Sequence, residues 1–139
     1  MRLKDDAIVL RGWSCPYCGA PTQLADDSEI YGRPYSGKIW ICRPCRAWVG
    51  CHRGTRRALG RVADKRLRVL KHRAHDVFDL LWKEGHMTRS EAYVALSEIL
   101  GLPPGHTHIG MFDADLCRRV ITISELILKN IRDGKKDRF

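Results

Sequence analysis

The chain has 139 residues and a mass of 15.9 kDa, enough for one compact domain or for a small metal-bound module joined to a helical one. Hydrophobic residues make up 44% of it and charged residues 29%, a composition that excludes an intrinsically disordered chain. No apolar stretch approaches the roughly 20 residues of a membrane helix, and the first residues lack the apolar run of a signal peptide. We therefore expect a globular protein of the cytoplasm.

The first 54 residues are rich in glycine, proline, cysteine and aromatic side chains. Two short apolar runs, residues 7–10 and 38–41, are typical of strands. Residues 25–37 contain several turn-forming residues, which predicts an exposed connection between strands. This composition predicts a module of β-hairpins over residues 1–54.

Residues 55–139 are predicted to form a helical module. Apolar residues recur at three- and four-residue steps over residues 62–82, which predicts a first helix that Gly85 ends. A second helix is expected to begin at Thr88, which can form a capping box with Glu91, and to end before Gly101.

The remainder of the helical module is predicted to hold a loop and a third helix. Residues 102–112 contain two prolines and two glycines, so they are not expected to be regular helix. Asp113 is placed to cap the third helix, and Gly134 is expected to end it.

The strongest chemical signal is a pair of C-x-x-C turns, each with a proline inside. Because cytoplasmic thiols stay reduced, cysteines paired at this spacing indicate a metal site rather than disulfides. Two such turns supply the four thiolates of a tetrahedral zinc site, and four thiolates leave no open position for catalysis at the ion. The predicted Zn²⁺ ligands are Cys15, Cys18, Cys42 and Cys45.

Four other potential ligands keep an alternative open. Cys51 and His52 follow the second turn closely, and either could replace a ligand or join His106 and His108 in a second site. The simpler interpretation is that Cys51 is buried and that His52 is a surface or hydrogen-bonding residue.

The positive charge is concentrated in one segment. The chain carries a net charge of +9, and residues 53–73 contain nine bases against one acid, a local charge of +8. Lys and Arg near phosphates release counterions, so this segment favours nucleic-acid binding over a merely solvated helix face. The predicted phosphate contacts are Arg53, Arg56, Arg57, Arg61, Lys65, Arg66 and Arg68.

The aromatic residues of the first module permit a further interpretation. Trp13, Tyr17, Trp40 and Trp48 could stack on unpaired bases, although aromatic residues in so small a module more often form its core.

An enzymatic interpretation rests on the histidines and aspartates of the first helix. His72, His75, Asp76 and Asp79 could be assembled into a metal-dependent nuclease site, but their spacing matches no known catalytic motif. We therefore predict a protein without catalytic activity.

The order of the motifs resembles a known family. The segments that carry the resemblance are, in chain order, CPYCG, WICRPCRAWVGCHRGT and ALGRVADKRLRVLKHRAHDVFDLLW. They are similar to segments of small zinc-finger proteins of unknown function found mainly in bacteriophages and prophages. The resemblance implies a zinc-binding N-terminal half and a helical C-terminal half. If the protein is encoded by a phage, the expected location is the cytoplasm of the host cell. One departure is Arg46, which stands where a glycine is usual in the second turn.

Together these observations predict an α+β protein in which a four-cysteine zinc ribbon of β-hairpins packs on a bundle of about three helices. Its predicted function is to bind DNA or RNA through the basic segment. The alternative is a protein-binding adaptor or inhibitor that acts on a host enzyme, with the basic segment facing an acidic protein surface.

Overall fold

In the part of the chain that the structure describes, three short strands form one antiparallel sheet in the order β1-β2-β3. The computed structural model describes residues 11–32 and 37–137. The strands are β1 (Gln23–Asp26), β2 (Lys38–Cys42) and β3 (Ala47–Gly50). In the central strand Ile39 and Ile41 are buried, whereas Trp40 on the other face is half-buried and lies opposite Val49. The predicted strand over residues 38–41 is therefore confirmed, and the one over residues 7–10 lies outside the described residues.

The connection predicted over residues 25–37 is more regular than expected. Strand β1 continues to Asp26, and a single helical turn, α1 (Ser28–Tyr31), follows it. The carbonyl of Asp27 accepts hydrogen bonds from the N–H groups of Ile30 and Tyr31 at 3.0 and 3.1 Å. Pairing with β2 supplies the backbone hydrogen bonds of β1, which its turn-forming residues gave no reason to expect.

Three long helices follow the sheet, which confirms an α+β fold. They are α2 (Lys65–Lys83), α3 (Arg89–Leu100) and α4 (Ala114–Asp137). Helix α2 starts later than residue 62 because Ala63 still pairs with Trp48 through two backbone hydrogen bonds of 3.0 Å. Helix α4 continues through Gly134, which corrects the predicted end. One glycine near the end of a helix costs only about 1 kcal/mol, and the neighbouring turns outweigh that cost.

The chain divides into two compact units, Met1–Arg68 and Val69–Phe139. The first has a small core in which Cys15 and Cys42 pack with Ala47, Val49 and Val62. So small a core contributes little stability by itself, and a bound metal commonly supplies the rest in modules of this size.

The second unit has a larger apolar core. The largest of its fully buried side chains are Phe78, Leu81, Ile109, Phe112, Cys117, Val120 and Ser124, together with Thr107. Phe78 meets Tyr93 edge to face, with ring centroids 4.9 Å apart. The segment 102–112 contains two single-turn 3₁₀ helices and no α-helix. None of the described helices is long and apolar enough to cross a membrane.

Candidate metal centre and basic surface

The first C-x-x-C turn is a tight loop closed by backbone hydrogen bonds. The N–H of Gly19 donates to the carbonyl of Cys15 at 2.8 Å, and the N–H of Cys15 donates to the carbonyl of Ala20 at 2.8 Å. Gly19 has a φ of 76°, in the left-handed region that glycine adopts without strain. The chain therefore reverses sharply and presents Cys15 and Cys18 to one point.

The second turn reaches the same geometry without a glycine. Strands β2 and β3 are joined by residues 43–46, and the N–H of Arg46 donates to the carbonyl of Arg43 at 3.1 Å. Arg46 has a φ of 53° and is the sole non-glycine residue with a positive φ in the described part of the chain. The sequence departure at this position thus leaves the turn intact, at the cost of a left-handed backbone on a residue with a Cβ.

The two turns bring the four predicted cysteines together. Their sulfur atoms all lie within 4.8 Å of one another, and the Sγ atoms of Cys18 and Cys42 are 3.7 Å apart. A tetrahedral zinc ion with Zn–S bonds of about 2.3 Å separates its sulfurs by about 3.8 Å. The cluster therefore has the size and the donor set that suit one tetrahedral zinc ion.

The electrostatics of the cluster also favour a cation. Burial raises the pKa of Cys15, and the neighbouring Cys18 sulfur raises the pKa of Cys45 to about 12. The backbone N–H of Ala20 lowers the pKa of Cys18. Four ionised sulfurs at this spacing repel one another, and a divalent cation at their centre removes that repulsion.

The other candidate ligands do not join this cluster. Within residues 11–32 and 37–137, the four cysteines form the only group of three or more potential ligand atoms close enough to hold an ion. Cys51 is half-buried and pairs with Ala58 in an isolated β-bridge, and burial raises the pKa of its thiol. His52, His106 and His108 are exposed. His52 is at the surface, as the simpler interpretation expects, whereas Cys51 is less buried than that interpretation expects.

The first turn is connected directly to the start of α2. The phenol oxygen of Tyr17, inside the C-x-x-C motif, accepts a hydrogen bond from the backbone N–H of Asp64 at 3.0 Å. The carboxylate of Asp64 in turn accepts from the N–H of Leu67 at 2.9 Å and so caps the helix. Asp64 is the sole acid among residues 53–73, and its carboxylate serves as the cap of this helix.

Four predicted phosphate contacts lie in residues 51–64 between β3 and α2, a segment that we call the basic loop. This loop is held by its own backbone: the N–H of His52 donates to the carbonyl of Arg57 at 2.8 Å, and the N–H of Thr55 donates to the carbonyl of His52 at 2.9 Å. Arg53, Arg56 and Arg57 project from it as exposed side chains, whereas Arg61 is partly buried.

The other three lie in the first turn of α2, in two different environments. Lys65 and Arg66 are exposed. Arg68 is partly buried, with its guanidinium 4.7 Å from the ring centroid of Trp48. Arg68 is thus engaged within the first unit, a role that its charge alone did not predict.

The structure adds one basic residue that the segment 53–73 omits. Arg11, far upstream in sequence, lines the same cleft as Arg56 and Arg57. A charge count along the chain could not find it, since only the fold brings residue 11 beside residues 56 and 57.

The family comparison agrees with the site. A family model described as a zinc-finger-containing domain, DUF3268, matches residues 11–126. The match includes both C-x-x-C turns, the loop of residues 52–57 and most of the three long helices. Neither the curated proteins nor the solved structures gave a significant match.

Proposed function

The chain belongs to the DUF3268 family of zinc-finger-containing domains, and from this premise we propose that it is a zinc-stabilised protein that binds nucleic acid through its first unit, without catalysis. The zinc ion would be held by Cys15, Cys18, Cys42 and Cys45. Its role would be structural, because four thiolate ligands leave no position for water or substrate.

Zinc binding would stabilise the surface that carries the charge. Cys15 and Cys42 belong to the core of the first unit, against which Ala58 of the basic loop packs. Loss of the ion would therefore loosen the loop that displays Arg56 and Arg57. Metal and nucleic-acid binding should be coupled through folding.

The proposal rests on the exposure of the basic side chains and on their lack of ion-pair partners. Five of the seven predicted contacts are exposed and have no ion-pair partner in the described part of the chain: Arg53, Arg56, Arg57, Lys65 and Arg66. Unpaired exposed arginines repel one another in the free protein, and phosphate contacts would relieve this repulsion while releasing counterions.

The test compares two charge reversals of equal size. We expect Arg56→Glu with Arg57→Glu to weaken binding to a fluorescent oligonucleotide at least tenfold at 50 mM salt. The control reverses Arg119 and Lys129, two exposed residues of α4, and changes the net charge by the same amount. A plot of log affinity against log salt should become shallower by about two phosphate contacts in the first variant, which is about 1.4 for a single-stranded probe and about 1.8 for a duplex.

Two results would refute the proposal. One is the absence of binding to DNA and RNA at low salt, which would favour the protein-binding adaptor or inhibitor. The other is an equal loss in both double variants, which would show that net charge rather than this surface attracts the oligonucleotide. The phage or prophage origin stays a prediction from resemblance.

A further inference from the structure

The first unit contains a cleft that combines aromatic and cationic side chains. It has a volume of about 690 Å³, within the range of small-molecule sites. Among the residues that the structure describes, two tryptophans, three arginines, a histidine and an alanine line it: Trp13, Trp40, Arg11, Arg56, Arg57, His52 and Ala58. None of these described lining residues is acidic. The lining therefore suits an anionic ligand with a flat apolar part.

Trp40, one of the residues that line the cleft, is held in place by a hydrogen bond. Its indole Nε1–H donates to the carbonyl of Arg56 at 2.8 Å, which ties the central strand to the basic loop. The backbone of Gly12 lies close to Ala58: its φ is 79°, and a Cβ added there would lie 2.9 Å from the Cβ of Ala58. A glycine is needed at position 12 for this approach. The cleft is thus built by packing and is not merely a gap between side chains.

Trp13 also lines the cleft, and hydrogen bonds hold its backbone in place. The N–H of Thr22 donates to the carbonyl of Trp13 at 3.0 Å, and the buried hydroxyl of Thr22 donates to the carbonyl of Gly12. Although its backbone is held, the Trp13 side chain is 47% exposed. Arg11 lies on this ring, with its guanidinium carbon 5.0 Å from the ring centroid. Because Arg11 covers one face of the indole, a base would stack on the opposite face.

We propose that this cleft binds an unpaired nucleotide of single-stranded DNA or RNA, with the base on Trp13 and the adjoining phosphate at Arg56 and Arg57. The inference rests on the proposed function and adds a preference for single strands. Bases in a duplex are stacked on their neighbours and present no free face, so only an unpaired base can use the indole. The arginines alone would contact phosphates of either form.

The test measures affinity for four probes: a 12-nucleotide oligo(dT), a 12-nucleotide oligo(U), a 12-base-pair DNA duplex and a 12-base-pair RNA duplex. We expect the single strands to bind more tightly than the duplexes. Trp13→Ala should weaken single-strand binding roughly tenfold, the effect of one lost stacked base, and change duplex binding less than twofold. Trp13→Phe should restore most of the single-strand affinity. Zinc content and circular dichroism establish that each variant is folded.

The two proposals fail in different ways. If the single strands and duplexes bind equally and Trp13→Ala changes neither, the cleft inference is wrong while nucleic-acid binding stands. If Trp13→Ala weakens both forms equally while the protein stays folded, the indole supports the surface and does not stack, which also overturns the inference. If none of the four probes binds at low salt, the proposed function itself is wrong.

Discussion

The guanidinium of Arg68 lies 4.7 Å from the ring centroid of Trp48 and donates a hydrogen bond to the carbonyl of Ala63 at 2.6 Å. Trp48 and Ala63 are themselves joined by two backbone hydrogen bonds. The three residues connect strand β3 to the first turn of α2. Arg68 therefore holds the first unit together, whereas Arg66, two residues earlier, is exposed.

This difference predicts opposite behaviour for two neighbouring arginines. Arg68→Ala should lower the free energy of unfolding by about 1–2 kcal/mol, because it removes a cation–π contact and a charge-assisted hydrogen bond. Arg66→Ala should leave stability within about 0.5 kcal/mol and weaken nucleic-acid binding. Urea denaturation and fluorescence anisotropy measure the two effects. Equal stability of the two variants would contradict the role assigned to Arg68.

We predict that the four clustered cysteines are required for zinc binding and that Cys51 is not. Cys42→Ser should abolish zinc binding and unfold the first unit, because it removes both a ligand and part of a small core. Cys51→Ser should retain one zinc ion per chain, as measured by mass spectrometry of the metal. Three of the four tryptophans, Trp13, Trp40 and Trp48, lie in the first unit, so chelation should shift tryptophan fluorescence to longer wavelength. Loss of zinc from Cys51→Ser would make Cys51 a ligand.

Sequence spacing was sufficient to predict the cysteine cluster and the order of the three long helices, but it misplaced the end of α4 and did not predict contacts between distant segments. The C-x-x-C spacing predicted which sulfurs meet, and the Thr88–Glu91 pattern predicted the capping box that begins α3. Strand β1 was missed because its stability comes from pairing with β2 rather than from its own residues. Arg11 and Trp40 likewise gain their roles only when the fold brings them to the loop of residues 52–57.

Arg46 offers a test of backbone strain in the second turn. Its φ of 53° is unfavourable for a residue with a Cβ, whereas Gly19 adopts 76° at the corresponding place in the first turn. Arg46→Gly should therefore raise the free energy of unfolding by about 0.5–1 kcal/mol in the zinc-loaded protein. Gly19→Ala, the matched reverse change, should lower it by a similar amount or more. Thermal denaturation at fixed zinc concentration measures both, and a destabilised Arg46→Gly would show that the arginine side chain outweighs the strain.

The capping box of α3 predicts a pH-dependent contribution to stability. The hydroxyl oxygen of Thr88 accepts from the N–H of Glu91 at 3.1 Å, and the Glu91 carboxylate accepts from the N–H of Thr88 at 3.0 Å. That backbone N–H holds the pKa of Glu91 below its usual value, so its contribution is present above the unfolded-state pKa and is lost as pH falls through the folded-state pKa. Thr88→Ala should cost about 1 kcal/mol.

The same linkage distinguishes Glu91 from Glu98, the other carboxylate of that helix. Glu91→Gln should be less stable than the unmodified protein at pH 7, and the difference should shrink as the pH falls below about 4.3, the usual glutamate pKa. Glu98→Gln, an exposed carboxylate near the other end of α3, controls for the loss of a negative charge and should not destabilise at pH 7. Urea titrations at pH 7 and at pH 3 measure the change. A Glu91→Gln deficit that persists unchanged at pH 3 would mean that the ionised carboxylate does not support the cap.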